Sequence, residues 1–408
     1  MPELPEVETV ARDLRALVVG ATIVGASCDW PSTIATHDPD AFAAAVSGRV
    51  VEAVGRRGKR VVVELSGDRA LTIHLKMTGQ LFVVTPETPT DRHVHLVLDL
   101  DDGREVRFRD IRKFGRVGLY TRTEVGDLET DEGGVSPLAG LGPEPLDPSF
   151  TLAEFRSRIR ARRGRLKSLL TDQAFLAGVG NIYADEALWR ARLHPLRTAA
   201  TLRPDDEHRL HRELRTVLAE AVERRGSSID DYTAPGGDGS MQERLDVYQR
   251  EGEPCRRCGR PIRRIVLGQR ATHFCSHCQR LPAADRPAAA RILAAGAARE
   301  RSHALQAAGR PKGTGAGAGA AGPPKGATAG RRGPRWTELA AEGALGLAPE
   351  EAARAAARVR AERTRQAAAT RRATARGAGA SSAPARGVGP SSSRDVGADG
   401  DPQAGGRG

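Results

Sequence analysis

The sequence predicts an α+β, multidomain protein. An N-terminal helix and β-sandwich come first, followed by a helical domain, a small zinc-holding β-hairpin and a disordered tail. Three observations carry this reading. Short β-branched runs fill residues 21–120 and helical periodicity fills 151–225, so strands and helices are segregated along the chain. Four of the five cysteines have the spacing C-x2-C-x16-C-x2-C between residues 255 and 278. Beyond about residue 287 the composition collapses to Ala, Gly, Pro, Arg and Ser, too poor in large apolar side chains to build a core.

The elements follow in order. Val7, Val10, Leu14, Leu17 and Val18 recur at helical spacing and predict a helix over 5–18. "VVEAV", "RVVVEL", "ALTIHL", "GQLFVV", "HLVLDL", "EVRFR" and "RVGLY" then read as strands separated by turn signals such as "DDG". A helix at "PDAFAAAV" interrupts them. The Pro-rich "LGPEPLDPSF" marks a joint. Helices are expected at 151–161, around 166–175, at 181–191 and at 205–225, with the glycines of "LAGVGN" between two of them. The expected units are therefore residues 1–135, a linker at 136–150, 151–245, a metal hairpin at 246–280 and a tail at 287–408.

The 408 residues carry 63 Lys and Arg against 51 Asp and Glu, a net +12. Residues 287–408 hold 20 of the basic and 9 of the acidic residues, which leaves 43 and 42 for the first 286. Any nucleic-acid surface in residues 1–286 must therefore come from local patches. No stretch is apolar enough to span a membrane, and the N-terminus lacks the basic-then-apolar order of a secretory signal. The expectation is a cytoplasmic protein, where clustered thiols hold metal rather than disulfides.

Four constellations could carry chemistry. Cys255, Cys258, Cys275 and Cys278 match a closed tetrahedral zinc shell, hence one structural Zn2+ without an open catalytic position. Cys28, left over, reads as a buried structural thiol. Seven arginines and no acid lie between 255 and 280, a charge that suits a nucleic-acid backbone or a solvated basic surface. In "RSRIRARRGRLK" (156–167), Arg156, Arg160 and Arg163 share a helical face and could track phosphates. "RDIRKFGR" sets Arg112 and Lys113 beside Phe114, either a wedge that enters a duplex or a strand end with Phe114 in the core. At the terminus, removal of Met1 would expose the secondary amine of Pro2. An α-amino group titrates at roughly 7.7–8.0 and can attack carbonyl-like carbon, with Glu3 or Glu6 moving protons. The same residues also fit an ordinary helix start, with proline and acids in the first turn.

Taken together, the chain resembles the formamidopyrimidine-DNA glycosylase family of oxidative base-repair enzymes. The resemblance covers nearly all of residues 1–280. It rests on "MPELPEVET", "RRGKR", "HLKMTG", "RHVH", "DIRKFGR", "LGPEPL", "GVGNIYADEAL", "GEPCRRCG" and "GQRATHFCSHCQR". It implies a catalytic β-sandwich domain, a helix–two-turns–helix domain and a zinc hairpin, with double-stranded DNA containing oxidised bases in the cleft between the lobes. It implies a monomer that removes 8-oxoguanine and formamidopyrimidines and cleaves the abasic site by β,δ-elimination. By resemblance Pro2 is the nucleophile, Glu3 the acid/base, Lys59 the aid to β-elimination and Arg270 the phosphate holder for δ-elimination. Met77, Arg112 and Phe114 would fill the hole left by a flipped nucleotide. His93, Asn181 and Arg162 or Lys167 would bind phosphate. Leu4 resembles the purine-repair branch rather than the endonuclease VIII branch, which acts on oxidised pyrimidines and is the alternative enzyme. A non-catalytic binder of damaged DNA is the alternative from another class. One segment departs from the family: "GDGSMQERLDVYQR" (237–250) has Ser240 and Met241 where aromatics of a base-covering loop are common. The tail has no counterpart in the family and is expected to act as a cationic tether to DNA.

Overall fold

The computed structural model describes residues 1–123, 128–131, 133–134, 136–228 and 239–308. Helix α1 (Leu4–Val18) buries Val7, Val10, Leu14 and Val18 of the predicted stripe, leaves Leu17 half-buried, and adds Leu4 and Ala11. Its start is closed by a reciprocal capping box in which the Glu3 N–H donates to Glu6 Oε2 at 2.9 Å. Proline in the first turn sacrifices no helical hydrogen bond.

The strands are β1 (Thr22–Cys28), β2 (Arg49–Arg57), β3 (Arg60–Leu65), β4 (Arg69–His74), β5 (Gly79–Val84), β6 (Val94–Leu100), β7 (Glu105–Asp110), β8 (Arg116–Arg122) and β9 (Leu128–Glu129). They run antiparallel in the order β5-β7-β6-β1-β2-β3-β4-β8-β9. β1 and β2 share only a short pairing at Thr22–Val50 and Ile23–Arg49, so the order folds there into the two layers of a sandwich. Helix α2 (Pro39–Val46) contributes Phe42 and Val46 to the core between the layers, and α1 contributes Val7, Val10, Ala11, Leu14 and Val18. Cys28 is half-buried and not in the core interior, with its Sγ 3.3 Å from the Trp30 carbonyl.

A second core gathers Phe150, α3 (Leu152–Arg160), α4 (Leu166–Leu170), α5 (Asn181–Arg190) and α6 (Pro204–Glu223). Hairpin strands β10 (Arg263–Leu267) and β11 (Arg270–Phe274) pair with Leu267 opposite Arg270, a two-residue connection. Among the described residues no helix is long and apolar enough to cross a membrane.

The expectation of a tail without structure from residue 287 is overturned for its first part. Arg286–Ala308 form helix α7, and Ala289, Ile292 and Leu293 pack on Leu196, Ile265 and Phe274. Low mean apolarity hid this contact, because a two-turn stripe on an existing surface suffices where a separate core does not. Residues 309–408 lie outside the described residues, as do 237 and 238 of the divergent segment.

Candidate active site

A cavity of about 380 Å3 is lined by Met1, Pro2, Glu3, Glu6, Met77, Asn181, Ile182, Ser227, Tyr248, Arg270 and Ala271. Helix α1, the β4–β5 turn, the N-terminus of α5, the stretch after α6 and the zinc hairpin all reach it. Five of the eleven residues expected to act on DNA therefore meet here: Pro2, Glu3, Met77, Asn181 and Arg270.

Glu3 is held at the start of α5. Its Oε1 accepts from the Ile182 N–H at 2.9 Å and its Oε2 from the Tyr183 N–H at 3.4 Å. Complete burial holds the carboxyl above its ordinary range, opposed first by the nearby Lys59 charge and less by the Ile182 N–H at the helix terminus. The approach needs Gly180, since a Cβ there would stand 2.2 Å from the Glu3 carboxyl carbon. Leu4 fixes the same junction by donating its N–H to the Gly178 carbonyl at 3.0 Å.

Glu6 has a larger part than a helix-start acid. Beyond the Glu3 N–H, it accepts the Tyr183 hydroxyl, the Ser227 N–H at 2.9 Å and the Ser227 hydroxyl at 3.1 Å. One carboxylate thus staples the chain terminus to α5 and to the end of the helical domain. Sequence alone offers no signal for this, because the partners lie about 180 and 220 residues away.

Lys59 sits in the β2–β3 turn, 9% exposed. Burial pulls its ammonium below the ordinary lysine range, nearby Glu3 opposes the change, and Arg270 adds to it. The turn is fixed from below by Glu144 of "LGPEPL", which accepts from the Gly58 N–H at 2.6 Å, Arg56 at 2.8 Å and Arg57 at 3.0 Å. Arg270 is exposed at the first position of β11.

Met77, Arg112 and Phe114 stand on two adjacent turns tied together by Thr78 and Asp110. The Arg112 N–H lies 3.2 Å from both Thr78 Oγ1 and Asp110 Oδ1, and Asp110 Oδ2 accepts from the Gly115 N–H at 2.6 Å. Phe114 is 48% exposed and Met77 39%, so the reading of Phe114 as a core residue fails. The Arg112 guanidinium lies 4.9 Å from the Phe114 ring centre, a cation–π contact. His93 is half-buried outside the cavity lining, and burial lowers its pKa.

The basic run 156–167 requires correction. Arg160 forms two 2.7 Å bonds with Glu207, and Arg156 pairs with the same carboxylate at 3.2 Å, so two of the three arginines on the expected phosphate face are committed internally. Arg162 and Arg163 remain exposed on the turn. Lys167, offered as a phosphate ligand, is 2% exposed; its Nζ donates to Asp185 Oδ1 at 2.5 Å and to the Asn181 carbonyl at 2.8 Å. Asp185 Oδ2 in turn accepts from the His273 N–H of β11 at 2.9 Å. Lys167 is thus a buried counter-charge that joins α4, α5 and the hairpin. Lys167→Met is expected to cost roughly 3–5 kcal/mol in urea unfolding, because it leaves Asp185 as an unpaired buried charge. Adding Asp185→Leu should recover part of that loss. Asn181 donates to the Ala271 carbonyl at 2.9 Å.

Glu186 is another group the sequence left unassigned. Fully buried, it accepts from the Asp246, Val247 and Tyr248 N–H groups at 2.8–2.9 Å, and burial pushes it up to about 7. The consecutive acids of "GVGNIYADEAL" therefore hold β11 and the segment leading into the hairpin. Met241, at a position where an aromatic was expected in a base-covering loop, is fully buried in the helical core, and the Ser240 N–H bonds the Arg224 carbonyl at 3.0 Å. Neither residue reaches the cavity lining.

The Sγ atoms of Cys255, Cys258, Cys275 and Cys278 all lie within 4.8 Å of one another. Four thiolates at zinc–sulfur distances of about 2.3 Å fit that spread, and no fifth donor is needed for a closed structural site.

Family models match in three blocks. The formamidopyrimidine-DNA glycosylase N-terminal domain matches residues 1–117, its H2TH domain residues 141–233, and the zinc finger found in FPG and IleRS residues 252–281. The formamidopyrimidine-DNA glycosylase of Chloroflexus aurantiacus is 50% identical over 281 residues, 68% of this chain and 98% of that protein. The crystal structure of MutM (FPG) from Thermus thermophilus is similar at 43% identity and a TM-score of 0.61, covering 69% of this chain and all of that one. A Lactococcus lactis FPG mutant, solved in complex with Fapy-dG-containing DNA, matches at 34% identity and a TM-score of 0.62, covering 68% of this chain and 100% of the other. On the strength of these three matched blocks and of an alignment spanning almost the whole of its relatives, the chain belongs to the formamidopyrimidine-DNA glycosylase family.

Proposed function

We propose that this protein excises oxidised purines, 8-oxoguanine and formamidopyrimidines, from duplex DNA and then cleaves the abasic site. The observation that carries the reading is the meeting of Pro2, Glu3 and Arg270 in one cavity, with buried Lys59 close enough to feel both charges. Its volume, about 380 Å3, lies in the range of small-ligand sites.

With Met1 removed, the Pro2 nitrogen lone pair attacks C1′ of a flipped nucleotide. The glycosidic bond breaks and its electrons leave with the base, which takes up a proton. Glu3, one residue away, exchanges protons with the base and the opened sugar. The sugar oxygen departs from C1′ as the C1′–N iminium forms, and that cation is the electron sink for loss of a C2′ proton. The 3′-phosphate leaves in the β-elimination, and the 5′-phosphate follows in the δ-elimination. Lys59, with an amine made more easily neutral by burial, accepts a proton in the first elimination. Arg270, exposed on the hairpin, holds the phosphate. Met77, Arg112 and Phe114 fill the vacated stack, Arg112 opposite the orphaned cytosine. His93, Asn181 and Arg162 contact phosphates. Residues 1–135 would form the catalytic unit, 151–245 and 246–280 the DNA-gripping ones, and the protein would act as a monomer.

Borohydride is expected to trap the protein on an 8-oxoguanine:cytosine duplex, with the adduct on Pro2 by peptide mass. Protein that retains Met1 should give no adduct. Full trapping with the Pro2 amine blocked would remove the nucleophile from this scheme. Faster cleavage of a thymine-glycol duplex would favour the pyrimidine-repair alternative, and binding without scission would favour a non-catalytic binder.

A further inference from the structure

Helix α7 bears a surface that the proposed chemistry does not use. Ala289, Ile292, Leu293 and Gly296 fall at i, i+3, i+4 and i+7, and this stripe lies on the zinc hairpin. Gly296 is the point of closest approach: a Cβ there would stand 2.7 Å from Cγ2 of Ile265. On the neighbouring face, Arg291 and Arg299 line a cavity of about 510 Å3, with Arg165 from the α3–α4 turn and Arg264 from β10 also in its wall. Among the described residues the wall holds these four guanidinium groups and no carboxylate.

Two of the four are partly engaged. Arg165 Nη2 donates to the Ala288 carbonyl at 3.0 Å, tying the helical domain to α7. Arg264 Nε lies 3.9 Å from Glu251, but its Nη1 is buried without a hydrogen-bond partner. Arg291 and Arg299 are exposed. Four like charges around one cavity repel each other until an anion enters, and guanidinium forks match phosphodiester oxygens.

The position of the cavity selects DNA as the anion. Val266 in its wall is paired across the hairpin with Ala271 in the wall of the active-site cavity. Adjacent strands are about 4.8 Å apart, so one duplex turn of about 34 Å spans both sites. Exposed Arg162 and Arg163 precede Arg165 on the same turn. We infer that α7 and strand β10 of the zinc hairpin form a second backbone site, an arginine-lined pocket that takes a phosphodiester of DNA flanking the lesion. This rests on the reading of the protein as a lesion-DNA enzyme and adds a contact beyond the residues that reading uses.

The test is fluorescence anisotropy of the full chain on a duplex of about 30 base pairs bearing a tetrahydrofuran abasic-site analogue, across a KCl series. For Arg291→Ala/Arg299→Ala, the slope of log affinity against log salt should shrink by about 1–2 and low-salt affinity should fall about 10-fold. Both side chains are exposed, so zinc content and thermal unfolding should match the wild type. Gly296→Val, which lifts α7 from β10 with every arginine retained, should give the same loss. Wild-type slope and affinity in the arginine double variant overturn the inference, whatever Gly296→Val does; a pocket for free phosphate alone would give that result. Failure of the wild type to bind the lesion duplex or to be trapped by borohydride would instead overturn the parent reading.

Discussion

Glu3→Gln is expected to lower the rate of base release by about 10²- to 10⁴-fold, the range lost when a positioned proton-transfer group is removed. The substitution is nearly isosteric, so an amide oxygen can still accept from the Ile182 N–H and the side chain still fits over Gly180. The loss should therefore fall on proton transfer and not on folding, and thermal unfolding should move little. Single-turnover excision of 8-oxoguanine measures it directly. The pH profile sharpens the test. Burial raises the Glu3 carboxyl above its ordinary 4.5. Where protonated Glu3 gives the departing base its proton, activity falls as pH rises through that raised value, so the basic limb lies above pH 4.5 and should vanish in the variant. Trapping on a preformed abasic site should survive better than base release, because the amine is still present. A variant with near-wild-type excision would remove Glu3 from the mechanism.

Removing zinc is expected to lower lesion cleavage by about 10²-fold or more, since small misplacement of a catalytic group already costs that much. Arg270 enters the cavity from the hairpin, and the four thiolates anchor that hairpin below its strands. Structural zinc in small fingers is worth about 10–16 kcal/mol to the folded form. The rest of the chain has its own cores, so the loss should be local: chelation or Cys275→Ala should spare much of the helical signal while abolishing DNA binding. Elemental analysis should give one zinc per chain, and adding zinc back after chelation should restore activity. Full cleavage by metal-free protein would show that the hairpin is held without the ion.

Local pattern made much of the fold legible. α1, α2, α3 and α5 match their expected limits to within a residue and α6 ends two residues early, because apolar spacing and caps are short-range properties; α4, expected around 166–175, stops at Leu170. The predicted strand runs likewise recur in the sandwich. The tail failed for the opposite reason: Ala289, Ile292, Leu293 and Gly296 are sparse, and they matter only because Ile265 and Phe274 await them. The pattern at these four positions was visible in the sequence, but nothing local marked its partner.

The candidate site divides in the same way. By itself the sequence determined the four clustered cysteines and the motif set that marks the family, since each depends on residue type at fixed spacing. Only the tertiary structure decided which charges are free to act. Lys167 and Arg160 look like phosphate ligands in a basic run, yet Asp185 and Glu207 neutralise them from distant helices. Glu6 reads in the sequence as a proton carrier or a helix-start acid and Glu186 carries no reading there, yet both are buried and satisfied by backbone N–H groups and hydroxyls from other elements. A charge buried in a fold takes its role from its partners, and those partners are brought together only when the chain closes on itself.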